Sequence, residues 1–241
     1  MSTERPQSAN AADVPPGPIT SLTDPRAIQI LSTEHWSMLT ARSLAYNEAF
    51  ARAGMFLSFL SMSFVGLALL AGAMDFGQQF LTLTMIVLGF DLIVGLTTFD
   101  RISGANFDDV RAMHGMARIR HGYVQAAPML QPYFSTATHD DIEAVLRDYD
   151  VPDGWLGNFM YAVSTSLGMV GLIVTMVAGV EIGVIGILVG LEVTAAAWLA
   201  VIGAVVFFVL LFAWVARRIP RNQARLPARF PSEAPREDVQ G

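Results

Sequence analysis

The stretch AGMFLSFLSMSFVGLALLAGAMDFGQQFLTLTMIVLGFDLIVGLTTF, residues 53–99, decides the fold. It holds two apolar runs, 53–74 and 80–99, and each has about the 20 residues that a helix needs to cross a bilayer. The polar residues 75–79 between the runs are too few to form a domain. The stretch therefore predicts two transmembrane helices joined by a tight turn.

A second apolar stretch, residues 157–216, is too long for one span and suits two. Glu181 and Glu192 bracket a segment that contains three glycines, and we place the turn between these two acids. The predicted spans are then 158–180 and 193–216. The sequence thus predicts a second transmembrane hairpin, with a connector apolar enough to lie in the membrane interface.

The composition agrees with a membrane protein. The chain is 53% hydrophobic, has a mean hydropathy of +0.47 and carries only 15% charged residues, against about 25% in soluble domains. It has no cysteine, which excludes disulfides, thiolate metal sites and cysteine nucleophiles. The first 50 residues lack the pattern of a cleaved signal peptide, so we expect the first span to act as the insertion signal.

The arginines predict the orientation. Five lie in residues 100–156, six follow the fourth span, and four precede or begin the first span, whereas the two predicted outer turns have none. Loops rich in arginine stay in the cytoplasm. We therefore predict an all-α integral membrane protein with two hairpins and both termini cytoplasmic.

Four segments lie outside the two hairpins, 53–99 and 157–216. Residues 1–23 are predicted to be a disordered tail, and residues 24–52 an amphipathic helix that could break near Ser32-Thr33. Residues 100–156 are predicted to be a cytoplasmic helical loop, with helix caps at Asn106 and Thr138, and residues 217–241 a basic disordered tail. Trp36 suits a membrane interface. The loop has too few large apolar residues for its own core, so we expect it to pack on the N-terminal helix or on a second subunit.

Asp91 is the sharpest chemical feature, because it lies eight residues inside the second span, which is about 12 Å deep. An ionisable residue at that depth costs about 2.5–3.5 kcal/mol and suggests a function. Counting the same depth on the other spans gives a polar layer of possible partners: Ser58, Ser61, Ser164 and Thr165. The layer is either an interhelical hydrogen bond that fixes packing, or a proton or ion pathway.

Three weaker features each have a structural explanation as well as a functional one. Glu181 and Glu192 could form the outer mouth of an oligomeric channel, or they could be ordinary turn residues. Arg217, Arg218 and Arg221 could contact anionic lipid, and they also fit the positive-inside anchor. The acids at 140–143 fit the first turn of a helix, so we expect no metal site and no cofactor.

Two stretches resemble a bacterial family of four-helix integral membrane proteins that carries no assigned activity. They are IQILSTEHWSMLTARSLAYNEAFARAGMFLSFLS, Ile28–Ser61, and MARIRHGYVQAAPMLQPYF, Met116–Phe134. The resemblance implies a four-helix protein of the bacterial cytoplasmic (inner) membrane and supplies no site residues.

The sequence contains no phosphate-binding loop, nucleophile elbow or zinc-protease motif, and nothing outside its tail suits nucleic acid. We therefore expect a non-enzymatic structural or accessory membrane protein that self-associates and binds a protein partner through its cytoplasmic helices. The alternative is a homo-oligomeric ion channel or proton-coupled carrier that uses the Asp91 layer.

Overall fold

The structure, a computed structural model, describes residues 18–149 and 154–232. Over these ranges all regular secondary structure is helical, with no strand. One 3-10 helix, Pro128–Tyr133, accompanies α1 (Pro25–Ala73), α2 (Gln78–Ala126), α3 (Ile142–Arg147), α4 (Trp155–Ser164), α5 (Ser166–Leu188) and α6 (Val193–Gln223). Four of them, α1, α2, α5 and α6, are long and apolar enough to cross a membrane. The prediction of an all-α fold with four such helices is confirmed, and these helices are typical of a multi-pass membrane protein.

The first two helices extend far beyond their apolar spans. Each has 49 residues and is therefore about 73 Å long. The side chain of Asp24 caps α1 by accepting the N–H of Arg26 at 2.9 Å. The break considered at Ser32-Thr33 is absent, because α1 is continuous through these residues. Likewise, α2 runs through Asn106 instead of starting there, and α3 is capped by Asp141 instead of Thr138.

Helices α1 and α2 pack along each other in opposite directions. The turn between them is short, with the N–H of Gly77 donating to the carbonyl of Met74 at 2.9 Å. Further along, Phe56 packs on Gly95, where an added β-carbon would come within 2.9 Å of the Phe56 ring and 2.8 Å of Val174. Three helices thus meet closely at this glycine. Because lipid is as apolar as the side chains here, close packing holds this core together.

Helices α5 and α6 are in contact through small residues. Gly179, Gly183 and Gly186 face alanines of α6, and a β-carbon on Gly179 would lie 2.7 Å from that of Ala204. Small residues of this kind let two helix backbones approach within a membrane. The glycines that suggested a turn in the sequence are therefore the packing face of a helix.

The second turn lies later than the sequence predicts. Glu181 is inside α5, and the chain turns over residues 189–192. The turn uses Gly190, whose φ is +93°, and the N–H of Leu191 donates to the carbonyl of Gly186 at 3.0 Å. Glycine is the residue that ends helices in this left-handed conformation. The predicted span 158–180 is therefore replaced by α4 and α5, which meet at a bend capped by Thr165.

The C-terminal tail differs from the predicted disordered tail. Residues 1–17 and 233–241 lie outside the described residues, as do 150–153. The first seven residues of the basic C-terminal tail belong to α6, which continues to Gln223. The following residues, 224–232, which we name the C-terminal segment, contact α2 and the acids before α3.

Candidate functional site

A cavity of about 690 Å³ lies where the apolar spans end and the arginines begin. We call this level the arginine end of the bundle. The cavity is bounded by α1, α2, α4, α5 and α6, together with the residues at the end of α3. Its volume is in the range of small-molecule sites. Apolar side chains form most of its wall: Ala49, Phe50, Ile102, Leu167, Phe212, Val215, Ile219 and Leu226.

One end of the cavity is polar and is centred on Asp109. This carboxylate is 3% exposed, and it is paired with the guanidinium of Arg42. The hydroxyl of Tyr149 donates to it at 2.5 Å. Asp109 is the only charged residue among the described residues that line the cavity, and Arg42 balances its charge. The lining therefore presents no unpaired cation to a ligand.

The tyrosines at this end keep their protons. Burial, together with the neighbouring Asp109 carboxylate, raises the pKa of Tyr46 to about 12. The same two causes raise the pKa of Tyr149. Both phenols are therefore uncharged at physiological pH. Together with Asn106, Asn222 and Gln223, they offer neutral hydrogen-bonding groups beside an apolar wall.

Asp91 is wholly buried, with 0% of its surface exposed. It lies on the same face of α2 as Leu88 and Gly95, which contact the core between α1 and α5. Neither of its carboxyl oxygens has a hydrogen-bond partner among the described residues. Asp91 is therefore enclosed by the helix bundle, beside the apolar residues of this core.

The polar layer expected around Asp91 is not formed by the four predicted residues. Ser58 and Ser61 are exposed on α1, and Ser58 donates to the carbonyl of Gly54 in its own helix. Ser164 and Thr165 lie at the bend between α4 and α5 and line the cavity at the arginine end. Equal depth along the helices was a poor guide because α5 begins eight residues later than the span predicted from sequence.

A second acid, Glu181, approaches α2 from α5 beside Gly89. A β-carbon on Gly89 would lie 3.5 Å from Oε1 of Glu181, and Gly89 is two residues from Asp91 on α2. Oε2 of Glu181 is buried without a partner among the described residues. Glu192, by contrast, is exposed in the turn before α6. The two glutamates predicted for an outer mouth thus lie at different levels.

The three arginines predicted to contact lipid differ in their surroundings. Arg217 and Arg221 are exposed. Arg218 forms an ion pair with Asp100 at 2.8 Å, and its guanidinium carbon lies 3.8 Å from the centre of the Trp214 ring. Arg217 and Arg221 are therefore the more available of the three for lipid phosphate.

Asp140 holds the C-terminal segment. It accepts the backbone N–H groups of Arg229 and Phe230 at 2.9 and 2.7 Å, and it pairs with Arg118 at 2.5 Å. Burial alone would raise the pKa of Asp140, but these donors outweigh burial and hold it below its usual value. Among the described residues, no group of three or more histidines and acids could hold a metal ion.

Comparison of the chain with protein-family models, with curated proteins and with solved structures gives no match in any of the three.

Proposed function

We propose that this protein is an accessory protein of the bacterial inner membrane, without enzymatic activity, that binds a lipid-like molecule with an uncharged, hydrogen-bonding head. The observation that carries the proposal is the cavity at the arginine end. Its apolar wall suits acyl or isoprenoid chains, and its polar end offers phenols and amides without an unpaired cation. A phosphate head would lack a countercharge there.

The proposed orientation places the arginine end, both termini and the cavity on the cytoplasmic side. It is supported by the absence of arginine from both turns and by its abundance at the other end. The chain has no cysteine, so single-cysteine variants at Ser21 and Gly77 are clean probes. A membrane-impermeant maleimide applied to intact spheroplasts should label position 77 and leave position 21 unlabelled until lysis. The opposite pattern would reverse the topology.

Native mass spectrometry of the purified protein tests the ligand class. We would offer diacylglycerol, phosphatidylethanolamine and phosphatidylglycerol at equal concentrations. The proposal expects retention of diacylglycerol in preference to the two phospholipids. Equal retention of all three, or preference for the anionic lipid, would overturn it.

A cavity-filling variant and a matched control assign the binding to the cavity. Ala216→Trp places an indole in the cavity from α6, and we expect it to abolish retention of the neutral lipid. Ala197→Trp makes the same change at an exposed position near the other end of α6 and should leave retention unchanged. Loss in both variants would place the lipid outside the cavity.

Self-association is the second part of the proposal. Trp36 and Leu44 are 65% and 63% exposed on α1, and the continuous helix places Trp36 about 25 Å beyond the start of the apolar span. A second copy packed on this part of α1 would remove the indole from water. Mass photometry in nanodiscs should find dimers or larger oligomers, and Trp36→Glu should reduce them. A monomer at every concentration would exclude this part.

The alternative function is a homo-oligomeric ion channel or proton-coupled carrier. Its support is now the two acids inside the helices, Asp91 and Glu181, whose buried oxygens have no hydrogen-bond partner among the described residues. Ser58 and Ser61 are exposed on α1. Ion and proton flux into liposomes, measured for the protein and for Asp91→Asn, tests it. Flux that requires Asp91 would favour the alternative over an accessory role.

A further inference from the structure

Helix α4 turns one side to the cavity and another side away from the protein. On the inner side, the hydroxyl of Tyr161 donates to the carbonyl of Tyr149 at 3.5 Å, and Ala162 lines the cavity. The outer side carries four large apolar residues that are 43–79% exposed and fall within about 140° of the helix circumference. We call them the outer face of α4: Trp155, Leu156, Phe159 and Met160.

The bend between α4 and α5 lies at the level of the first arginine of α6. Helices α5 and α6 run in opposite directions, and a β-carbon on Gly171 of α5 would lie 3.4 Å from the Phe212 ring of α6. Ser166, the first residue of α5, is five residues before Gly171, and Arg217 is five residues after Phe212. The start of α5 is therefore level with Arg217, at the edge of the apolar layer.

From this bend α4 reaches back toward the apolar layer. The ring of Phe159 makes an edge contact with the ring of Phe208 in α6, with the ring centres 6.4 Å apart. Phe208 precedes Arg217 by nine residues, which corresponds to about 13 Å of helix rise. Part of the outer face of α4 thus lies against a transmembrane helix within its apolar span. It is continuous with the exposed apolar surface of α6, which includes Val205.

The charge pattern of α4 differs from that of an exposed helix in water. Residues 154–180 contain no charged side chain. By contrast, the short helix α3 carries the exposed ion pair of Glu143 and Arg147. A tryptophan near the edge of an apolar layer is typical of a membrane interface. The outer face of α4 therefore has the composition of a surface in contact with lipid.

We propose that α4 is embedded in the bilayer leaflet at the arginine end, with its outer face among the acyl chains. Lipid would remove the four apolar side chains from water, which is favourable, and it already surrounds the neighbouring surface of α6 in a transmembrane arrangement. In this position α4 separates the cavity from the acyl chains. The contact with lipid involves only the outer face, so it does not depend on the ligand proposed for the cavity.

Spin labels on the outer face test the proposal in the full-length protein in nanodiscs. The chain has no cysteine, so Leu156→Cys and Met160→Cys each take one nitroxide label. Oxygen, which concentrates in lipid, should relax both labels more than a water-soluble nickel chelate does. Val205→Cys on α6 is the control in lipid, and Glu143→Cys, which is 77% exposed in its side chain, is the control in water. Stronger relaxation by the nickel chelate at 156 and 160 would place the outer face in water and overturn the proposal. Weak relaxation by both reagents would show that protein covers the face, and this result would overturn it as well.

The fluorescence of Trp155 gives a second test without a label. In a variant with Phe at positions 36, 198 and 214, Trp155 is the only tryptophan. Nanodiscs of brominated phosphatidylcholine should quench its emission relative to the same lipid without bromine, whereas iodide in the buffer should have little effect. Any result without quenching by the brominated lipid would refute the contact between the outer face and the acyl chains.

Discussion

The ring of Phe230 stacks on the imidazole of His121, with the ring centres 4.4 Å apart and the planes 17° from parallel. This contact joins the end of the described chain to the far part of α2, more than 100 residues earlier. It lies beside Asp140, which accepts the N–H of Phe230. The C-terminal segment is thus held by this ring contact, by the buried Asp140 carboxylate and by further hydrogen bonds with Arg118 and Asp141.

Asp140→Asn should loosen the C-terminal segment. An amide keeps one acceptor oxygen but removes the charge that Arg118 and two N–H groups share. We expect hydrogen exchange of residues 224–232 to accelerate by about tenfold or more, which corresponds to about 1.4 kcal/mol. Glu143→Gln, which changes a largely exposed acid nearby, is the control. Equal exchange in both variants would mean that Asp140 does not hold the segment.

Acidification should release the same segment. Because the folded protein holds the pKa of Asp140 below its ordinary value, the stabilisation is complete above that ordinary value and is lost as pH falls through the lowered one. A fluorophore on Ser232→Cys, the single cysteine of that variant, should therefore keep its anisotropy from pH 7 to pH 5. The anisotropy should fall only below about pH 4. Release near pH 6 would point to a histidine instead.

Gly179→Ala should destabilise the bundle. The added methyl group would lie 2.8 Å from the carbonyl oxygen of Ala200 and 2.7 Å from the β-carbon of Ala204, so α5 and α6 must separate. Overpacking of this kind costs about 1–3 kcal/mol. Gly66→Ala is the matched control, because nothing lies within 4 Å of its added carbon. Unfolding in mixed micelles of sodium dodecyl sulfate should separate the two variants. Equal stability would argue against the close contact of α5 and α6.

Arg42→Ala should also lower stability, through the charge that it leaves behind. Asp109 would remain buried with only the Tyr149 hydroxyl and no cation. Loss of one partner from a buried ion pair costs about 3–5 kcal/mol. Arg147→Ala removes an exposed pair with Glu143, and its cost should be about 1 kcal/mol or less. Thermal unfolding in detergent measures both. An effect of Arg42→Ala as small as that of Arg147→Ala would contradict the stabilising role of the Arg42–Asp109 pair.

Arg217 and Arg221 should account for most of the binding of anionic lipid. Replacing both with Gln should reduce the phosphatidylglycerol that copurifies with the protein, as counted by native mass spectrometry. Arg218→Gln should have a smaller effect, because this side chain is already paired with Asp100 and stacked on Trp214. An effect of Arg218→Gln as large as that of the double variant would contradict this order.

The spans were predictable from apolar length, but the second turn was misplaced. Glu181 was taken as a turn residue because a charge is costly inside a span, yet α5 contains it. A better signal was present in Gly190, which is followed by Leu191 and by Glu192 just before α6. Glycine just beyond a helix is a stop signal, and the glycines before it occur at helical spacing. Those glycines serve the contact with α6.

The polar end of the cavity could have been found by counting from the first turn. Arg42 and Asp109 are each 32 residues from the turn, before Met74 and after Gly77, respectively. If both helices continue unbroken, these two residues lie at the same level along the helix pair. The prediction missed this pair because it placed a helix cap at Asn106 and so interrupted α2. Tyr149 could not be placed in the same way, because it follows α3 and its position depends on tertiary packing.

The length of α1 and α2 has a mechanical consequence. Each helix passes from its apolar span into its extension without a break. We therefore expect the two helices to tilt together as one rigid unit. With about 30 Å of each helix in the apolar layer, about 40 Å projects beyond it. A change of about 10° in tilt, well within the spread seen among transmembrane helices, would displace the far ends by about 7 Å. Bilayer thickness, which influences helix tilt, would thereby change the position of the far ends of α1 and α2 in water.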